Sequence, residues 1–130
     1  MTIDTSAIVA VVGAEVDAPK LLAKLEGRDL LTVGAPTLVE ASMVLGGRTG
    51  AAGIEALRRF AQRHTLVIVP YGRAHWDVAA DAFLRYGKGR HPAALNFGDC
   101  LTYAVAKIAG EPLLCLGNDF AQTDLELVRL

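Results

Sequence analysis

Residues 2–13 read Thr-Ile-Asp-Thr-Ser-Ala-Ile-Val-Ala-Val-Val-Gly, and this stretch sets the pattern for the whole chain. A short apolar strand ends at Asp4, and an apolar helix from Ser6 follows until Gly13 closes it. Further strands are predicted at 30–33, 66–69 and 112–116, with helices between them. Strands that alternate with helices indicate an α/β fold with three layers, in which helices cover both faces of a short, mostly parallel sheet.

Glycine and proline residues, which interrupt helices and strands, define the remaining elements. Helices are predicted at 18–26, 36–45, 53–62, 73–86 and 96–109, and the third helix of the chain (36–45) is expected to end at Gly46-Gly47. A glycine-rich loop covers 87–92, a turn covers 119–123, and a last strand is predicted at 125–130. With no linker and a length of 130 residues, the chain is predicted to form one domain over 1–130.

Composition narrows the class of protein. Apolar residues make up 52% and charged residues 21%, which indicates a globular chain. No basic residue precedes the first apolar stretch, and no apolar run is long enough to span a bilayer, so we expect a cytoplasmic protein without a membrane segment. Cys100 and Cys115 lie in predicted buried elements and are interpreted as core thiols in a reducing compartment.

The net charge of −1 hides an uneven distribution. The middle of the chain, residues 58–90, is basic, while both flanking regions are acidic. A basic surface beside an acidic one could attract phosphate next to a metal ion, although a solvated helix face explains the same pattern. The basic residues of this region are Arg58, Arg59, Arg63, Arg73, Arg85, Lys88 and Arg90.

Four acidic residues, Asp4, Glu40, Asp99 and Asp119, lie where apolar runs give way to polar or helix-opening segments. Each has a structural alternative as a helix cap: the Thr37 to Glu40 and Asn96 to Asp99 spacings both fit a capping box. The carboxyl ends of parallel strands meet at one edge of a sheet, however, and capping does not explain why all four fall there.

Several carboxylates in one pocket repel one another unless a cation lies among them. Mg²⁺ and Mn²⁺ take hard oxygen ligands completed by water, so the pattern predicts a metal site. Thr5 and Ser6 add hydroxyl groups beside Asp4 that suit them to orient a carboxylate or a bound water.

These segments resemble the PIN-domain ribonucleases, and in particular the VapC-type toxins of bacterial toxin–antitoxin pairs. The likeness lies in Ile3-Asp-Thr-Ser6, Glu40, the segment from Arg85 to Cys100 that ends in Asn-Phe-Gly-Asp-Cys, and Leu116-Gly-Asn-Asp-Phe120. It implies a PIN-like α/β/α domain in which Asp4, Glu40, Asp99 and Asp119 hold Mg²⁺ or Mn²⁺ for RNA cleavage. It also implies a VapB-like antitoxin and a homodimer as partners.

Substrate and partner surfaces are predicted as well. Arg85, Lys88 and Arg90 are candidates for contacts with RNA phosphates, and Tyr86 for stacking on an unpaired base; the alternative is that Tyr86 packs in the core. An apolar excess on the first three helices suggests the antitoxin surface, although core packing explains it equally. The residues of that excess are Val9, Val12, Leu21, Leu22, Leu25, Val44 and Leu45.

Other functions fit less well. An aspartate-nucleophile phosphatase of the haloacid dehalogenase type needs a second Asp two residues after Asp4, where this chain has Ser6. A nucleotide-binding domain needs a glycine-rich phosphate loop that is missing here. A PIN-like module that binds RNA or a partner without cleaving it remains the alternative to a nuclease.

Overall fold

The computed structural model describes residues 1–28 and 30–130, which form an α/β fold around four parallel strands. The strands are β1 (Thr2–Ile3), β2 (Thr32–Gly34), β3 (Val67–Val69) and β4 (Leu113–Leu114), in the spatial order β3-β2-β1-β4. The register pairs Thr2 with both Thr32 and Leu113. The parallel α/β prediction is therefore confirmed.

Six helices connect the strands in this part of the chain. They are α1 (Thr5–Val12), α2 (Ala18–Leu25), α3 (Ala35–Thr49), α4 (Ala51–Arg63), α5 (Arg73–Tyr86) and α6 (Phe97–Ala109). None of the helices within residues 1–28 and 30–130 is long and apolar enough to cross a bilayer.

Two hydrophobic clusters fill the space on either side of the sheet. The first joins α1, α2, α3 and α4 to Ile3, Val33 and Leu114. The second joins α5 and α6 to Leu113 and to the segment after β4, through the fully buried Phe120. Since Leu113 and Leu114 alternate between the two clusters, β4 is buried on both faces, as parallel strands usually are.

The predicted end of the third helix at Gly46-Gly47 is wrong. The helix continues to Thr49 and ends where Gly50 takes a φ of 63°, a left-handed value that favours glycine. A Cβ on Gly46 would lie 3.2 Å from Ile54 of α4, so this glycine allows the two helices to approach closely. Gly46 therefore serves the close packing of two helices and does not end the helix.

The last predicted strand, at 125–130, is also wrong. Only one parallel bridge forms, between Leu127 and Leu113, with the Val128 amide donating to the Leu113 carbonyl at 2.9 Å. The apolar residues there pack against the core without extending the sheet.

Candidate active site

The topology brings the four predicted acids to one edge of the sheet. Asp4 follows β1 directly, and Glu40 lies on α3, which begins where β2 ends. Helix α6 leads into β4, so its first turn, with Asp99, lies at the edge where the parallel strands end. Asp119 follows β4 in an irregular segment.

One pocket of about 220 Å³ is lined by all four carboxylates, together with Thr5, Ser6, Val9 and Val44. Asp4 is 6% exposed, Glu40 and Asp99 are half-buried, and Asp119 is exposed. The structure thus gathers side chains that are up to 115 positions apart in the sequence.

Asp4 is both a helix cap and a pocket residue. Its Oδ2 accepts hydrogen bonds from the Ser6 amide at 3.0 Å and the Ser6 hydroxyl at 2.6 Å. The same hydroxyl accepts a bond from the Leu116 amide at 2.9 Å. Ser6 therefore connects the acid after β1 to the segment after β4 that carries Asp119.

Glu40 does not form the capping box that the sequence suggested. Its helix begins at Ala35, so Glu40 falls in the second turn, and the Thr37 hydroxyl bonds to Thr102 instead. The Glu40 carboxylate accepts a hydrogen bond from the Thr5 hydroxyl at 2.7 Å. The Glu40 carboxylate thus bonds to Thr5, which also lines the pocket, and not to the backbone at the start of its own helix. Helix capping therefore does not account for this acid.

Gly98 is a site residue that the sequence reasoning missed. A Cβ at this position would lie 2.6 and 2.7 Å from the two carboxylate oxygens of Glu40. The first turn of α6 therefore has to lack a side chain for Glu40 to reach the pocket. The signal in the sequence was the glycine between Phe97 and Asp99 near the start of a helix, where glycine is unfavourable without a packing reason.

Asp99 does form a capping box. Its Oδ2 accepts a bond from the Asn96 amide at 2.8 Å, while the Asn96 side chain accepts one from the Asp99 amide at 2.9 Å. Burial, as the largest cause, and the negative charges of Asp4, Asp119 and Glu40 together raise the pKa of Asp99 to about 6, against the lowering effect of the Asn96 bond. The carboxylates thus repel one another in the absence of a cation.

Charge compensation by the protein is missing from the pocket. In the described residues, none of the four carboxylates forms a salt bridge with a lysine, arginine or histidine. Burial and the charges of Asp4, Asp119 and Asp99 also raise the pKa of the nearby Cys115 to about 12. Cys115 and Cys100 are buried free thiols, as predicted.

The donor set fits a hard divalent cation, which prefers several carboxylate oxygens with water. Within residues 1–28 and 30–130, however, no three carboxylate, imidazole or thiol groups already stand at the spacing of a metal cluster. Asp4, Glu40 and Asp99 are each held by local hydrogen bonds.

The predicted RNA-contacting residues differ in exposure. Tyr86 is only 8% exposed and packs edge-on to His91 and against Tyr103, so the prediction that it stacks on a base is wrong. The Arg85 guanidinium donates to the Tyr86 hydroxyl at 2.8 Å and lies 3.7 Å from Asp124. Lys88 and Arg90 are exposed, and the Arg90 guanidinium lies 5.2 Å from the centre of the Phe83 ring.

The predicted antitoxin surface is mostly core. Val9, Leu21, Leu25 and Leu45 are each 7% exposed or less. Val12 and Leu22 instead line a cleft with an apolar floor and basic residues, here called the basic cleft and formed by Val11, Val12, Leu22, Ala56, Arg59, Phe60, Arg63 and His64. Helices that cover a short sheet bury most of their apolar residues in the core, which leaves few of them for a partner surface.

Exposed apolar residues lie on another face, beside the acids. Phe97 is 82%, Met43 73% and Trp76 64% exposed. They line two adjoining depressions, of about 560 and 800 Å³, that share Tyr71, Phe97 and Leu101 and are here together called the apolar groove. Glu40 and Lys88 are the charged residues of its lining, and patches of this kind mark interaction surfaces.

Comparison with known proteins agrees with this fold. The PIN-domain family model matches residues 1–126. Ribonuclease VapC36 of Mycobacterium tuberculosis is 46% identical over 127 residues, which cover 97% of this chain and 91% of that protein. Ribonuclease VapC30 of the same species is 39% identical over 130 residues, with 100% and 99% coverage.

Solved structures share the fold. VapC20 of Mycobacterium tuberculosis, described as a sarcin-ricin loop cleaving toxin, matches with a TM-score of 0.80 at 18% identity, over 99% of this chain and 98% of that one. A toxin–antitoxin complex from Klebsiella pneumoniae matches with a TM-score of 0.72 at 15% identity, over 98% and 95%. This chain belongs to the PIN-domain family, and within it to the VapC ribonucleases.

Proposed function

We propose that this protein is a Mg²⁺- or Mn²⁺-dependent ribonuclease that acts as the toxin of a toxin–antitoxin pair. The observation that carries the proposal is the pocket lined by Asp4, Glu40, Asp99 and Asp119, which has no basic side chain paired with it in the described residues. Membership of the VapC ribonucleases supports the same reaction class.

A bound divalent cation would supply an acidified water and charge neutralisation at the phosphoryl group. Asp4 and Asp99 are the central ligands, since one is the most buried of the four acids and the other has the strongly raised pKa. Glu40 and Asp119 complete the set, and Thr5 and Ser6 orient Glu40 and Asp4 through the bonds described above.

Backbone contacts with RNA are assigned to Lys88 and Arg90. Both are exposed, and Lys88 lines the apolar groove together with Asn96, whose side chain caps the turn that holds Asp99. The positive charges of Lys88 and Arg90 would offset the repulsion of phosphate by the four acids. Arg85 is a weaker candidate, because Asp124 already accompanies its guanidinium.

The two surfaces suit two partners. The basic cleft fits an amphipathic helix with acidic residues from a VapB-like antitoxin, since Arg59 and Arg63 rim an apolar floor. Apart from Glu40 and Lys88 the lining of the apolar groove is uncharged, as expected of a homodimer interface, and its apolar part around Met43, Trp76 and Phe97 is assigned to a second copy of the chain.

Cleavage of RNA by the purified chain tests the function. We expect cleavage with Mn²⁺ or Mg²⁺, none with a chelator, and growth arrest on expression that the antitoxin relieves. Sequencing the RNA ends would identify the cleaved RNA. RNA binding without any metal-dependent cleavage would favour the non-catalytic module instead.

Substitutions in the basic cleft and in the apolar groove test the two partner surfaces separately. Arg59→Glu with Arg63→Glu should abolish antitoxin binding and leave cleavage intact, whereas Trp76→Glu should change the mass in light scattering from dimer to monomer. Antitoxin binding that survives the double change would refute the assignment of the basic cleft.

A further inference from the structure

Asp119 differs from the other three acids in how it is held. It lies in the irregular segment between β4 and the bridge at Leu127, and its side chain is exposed. No hydrogen bond holds its carboxylate among the bonds of the described residues, whereas Asp4, Glu40 and Asp99 each accept one or more. The position of Asp119 must therefore come from whatever fixes the segment.

Several contacts fix this segment, which we call the Asp119 loop (residues 115–126); besides the three described next, the Glu126 carbonyl accepts a bond from the Leu113 amide at 2.8 Å, and Leu125 packs against the second core cluster. Ser6 accepts a bond from the Leu116 amide at its start, and Phe120 is 2% exposed in the second core cluster at its middle. At its far end Asp124 accepts a bond from the Tyr103 hydroxyl at 2.6 Å and one from the Lys107 ammonium at 2.9 Å.

The residues that hold Asp124 lie on the helix that also carries Asp99. Asp99, Tyr103 and Lys107 are four residues apart, so they follow one another along the same face of α6. The loop is thus attached along the face that presents Asp99 to the pocket. Arg85 of α5, 3.7 Å from Asp124, adds a second cation to this attachment.

The attachment differs from an ordinary surface ion pair because one of its donors is buried. Tyr103 is 2% exposed, so its hydroxyl has little access to water and depends on Asp124 as its acceptor. The hydrogen bond from Tyr103 is the largest of the effects that lower the pKa of Asp124, ahead of the contributions of Lys107 and Arg85. The Asp124 carboxylate therefore stays ionised and bound.

We infer that Asp124 is a positioning residue that clamps the Asp119 loop onto α6 and so holds the Asp119 carboxylate at the metal pocket. The inference rests on the proposed function, because it assigns Asp124 a role in metal binding. Asp124 itself does not line the pocket, and it acts through Asp119.

Mn²⁺ binding, measured from the electron paramagnetic resonance signal of the free ion, tests the clamp without requiring turnover. Asp124→Ala should weaken Mn²⁺ binding about 10- to 100-fold, the usual effect of removing a group that orients a metal ligand. Tyr103→Phe, which keeps the ring packing, should act in the same direction, and Asp124→Asn should retain part of the affinity. Glu15→Ala, which breaks an exposed pair with Arg48 of 2.6 Å, is the matched control and should change nothing.

A double-mutant cycle separates positioning from general loosening. In an Asp119→Ala background, Asp124→Ala should cause no further loss of Mn²⁺ affinity, because its effect passes through Asp119. Hydrogen exchange of metal-free Asp124→Ala should rise at 116–125 and stay unchanged in α1 and α3.

The outcomes distinguish the two proposals. A parent chain that binds no Mn²⁺ would overturn the proposed function together with the clamp. A parent that binds Mn²⁺, with Asp124→Ala and Tyr103→Phe binding equally well, would overturn the clamp alone. Losses that multiply in the double variant would likewise refute an action through Asp119.

Discussion

Carboxylates lie at both ends of β1, but the two ends differ in whether the protein supplies a positive charge to compensate them. At the start of the strand, Glu111 accepts bonds from the Thr2 and Thr32 hydroxyls at 2.9 and 3.1 Å and pairs with the Met1 ammonium at 3.2 Å. At the other end, Asp4 joins three more acids with only hydroxyl and amide donors around them.

The contrast distinguishes a structural carboxylate from the acids of the candidate site. Glu111 has a positive charge and two hydroxyl donors, so its negative charge is compensated within the protein. Burial first, and then the uncompensated charges of Asp4, Asp119 and Glu40, raise the pKa of Asp99. An arrangement that costs folding free energy in the absence of a ligand indicates a binding site.

Removing a central acid should have the largest effect. Asp4→Asn and Asp99→Asn should lower the cleavage rate about a thousandfold, since a lost ligand removes several kcal/mol of transition-state stabilisation. Rates on a defined RNA with Mn²⁺ measure this loss. Asp81→Asn, an exposed acid on α5, should cleave as the parent does, and near-parent rates for Asp4→Asn would disprove the metal mechanism.

Gly98→Ala should have the next largest effect. The new Cβ would displace the Glu40 carboxylate, which can move because it ends a flexible side chain, so Mn²⁺ affinity should fall about 10- to 100-fold with little change in stability. Gly47→Ala is the matched control, since a Cβ there meets nothing within 4 Å. That control should keep full affinity and raise the free energy of unfolding by about 0.5–1 kcal/mol.

Glu111→Ala should give the opposite result. It leaves the buried Thr2 and Thr32 hydroxyls without their acceptor, so the free energy of unfolding should fall by about 1.5–3 kcal/mol. The cleavage rate per folded molecule should not change. Urea unfolding with parallel activity measurements tests both statements, and Glu126→Ala, at an exposed position, is the control. A selective loss of activity would contradict a purely structural role.

The smallest predicted effect concerns pH. A pKa of about 6 for Asp99 means that Mn²⁺ must displace a proton below that pH, so affinity should fall about tenfold for each pH unit lost below 6. The folded-state pKa lies above the unfolded value, so metal-free stability should fall as pH rises from about 4 to 6. Thermal unfolding of metal-free Asp99→Asn should lack this decline. A flat affinity profile between pH 5 and 7 would contradict the raised pKa.

Local patterns predicted the fold well where a segment carries its own signal. The Asn96–Asp99 capping box and the strand at 66–69 need only neighbouring residues, and both appear in the structure within a residue. Gly46 was misinterpreted because its role, contact with Ile54 on the next helix, depends on a distant residue. The prediction that Tyr86 stacks on a base was wrong for the same reason, since the burial of Tyr86 comes from packing against α6 and His91.

The sequence by itself determined the order of strands and helices, the identity of the four acids and their position at strand ends, because periodicity and breaker residues act over a few positions. Only the tertiary structure decided that Glu40 bonds to Thr5 rather than capping its helix, that Gly98 gives it room, and that the exposed apolar surface lies at Phe97, Met43 and Trp76. These features depend on contacts between residues far apart in the chain, and such contacts exist only once the sheet has brought α1, α3 and α6 together.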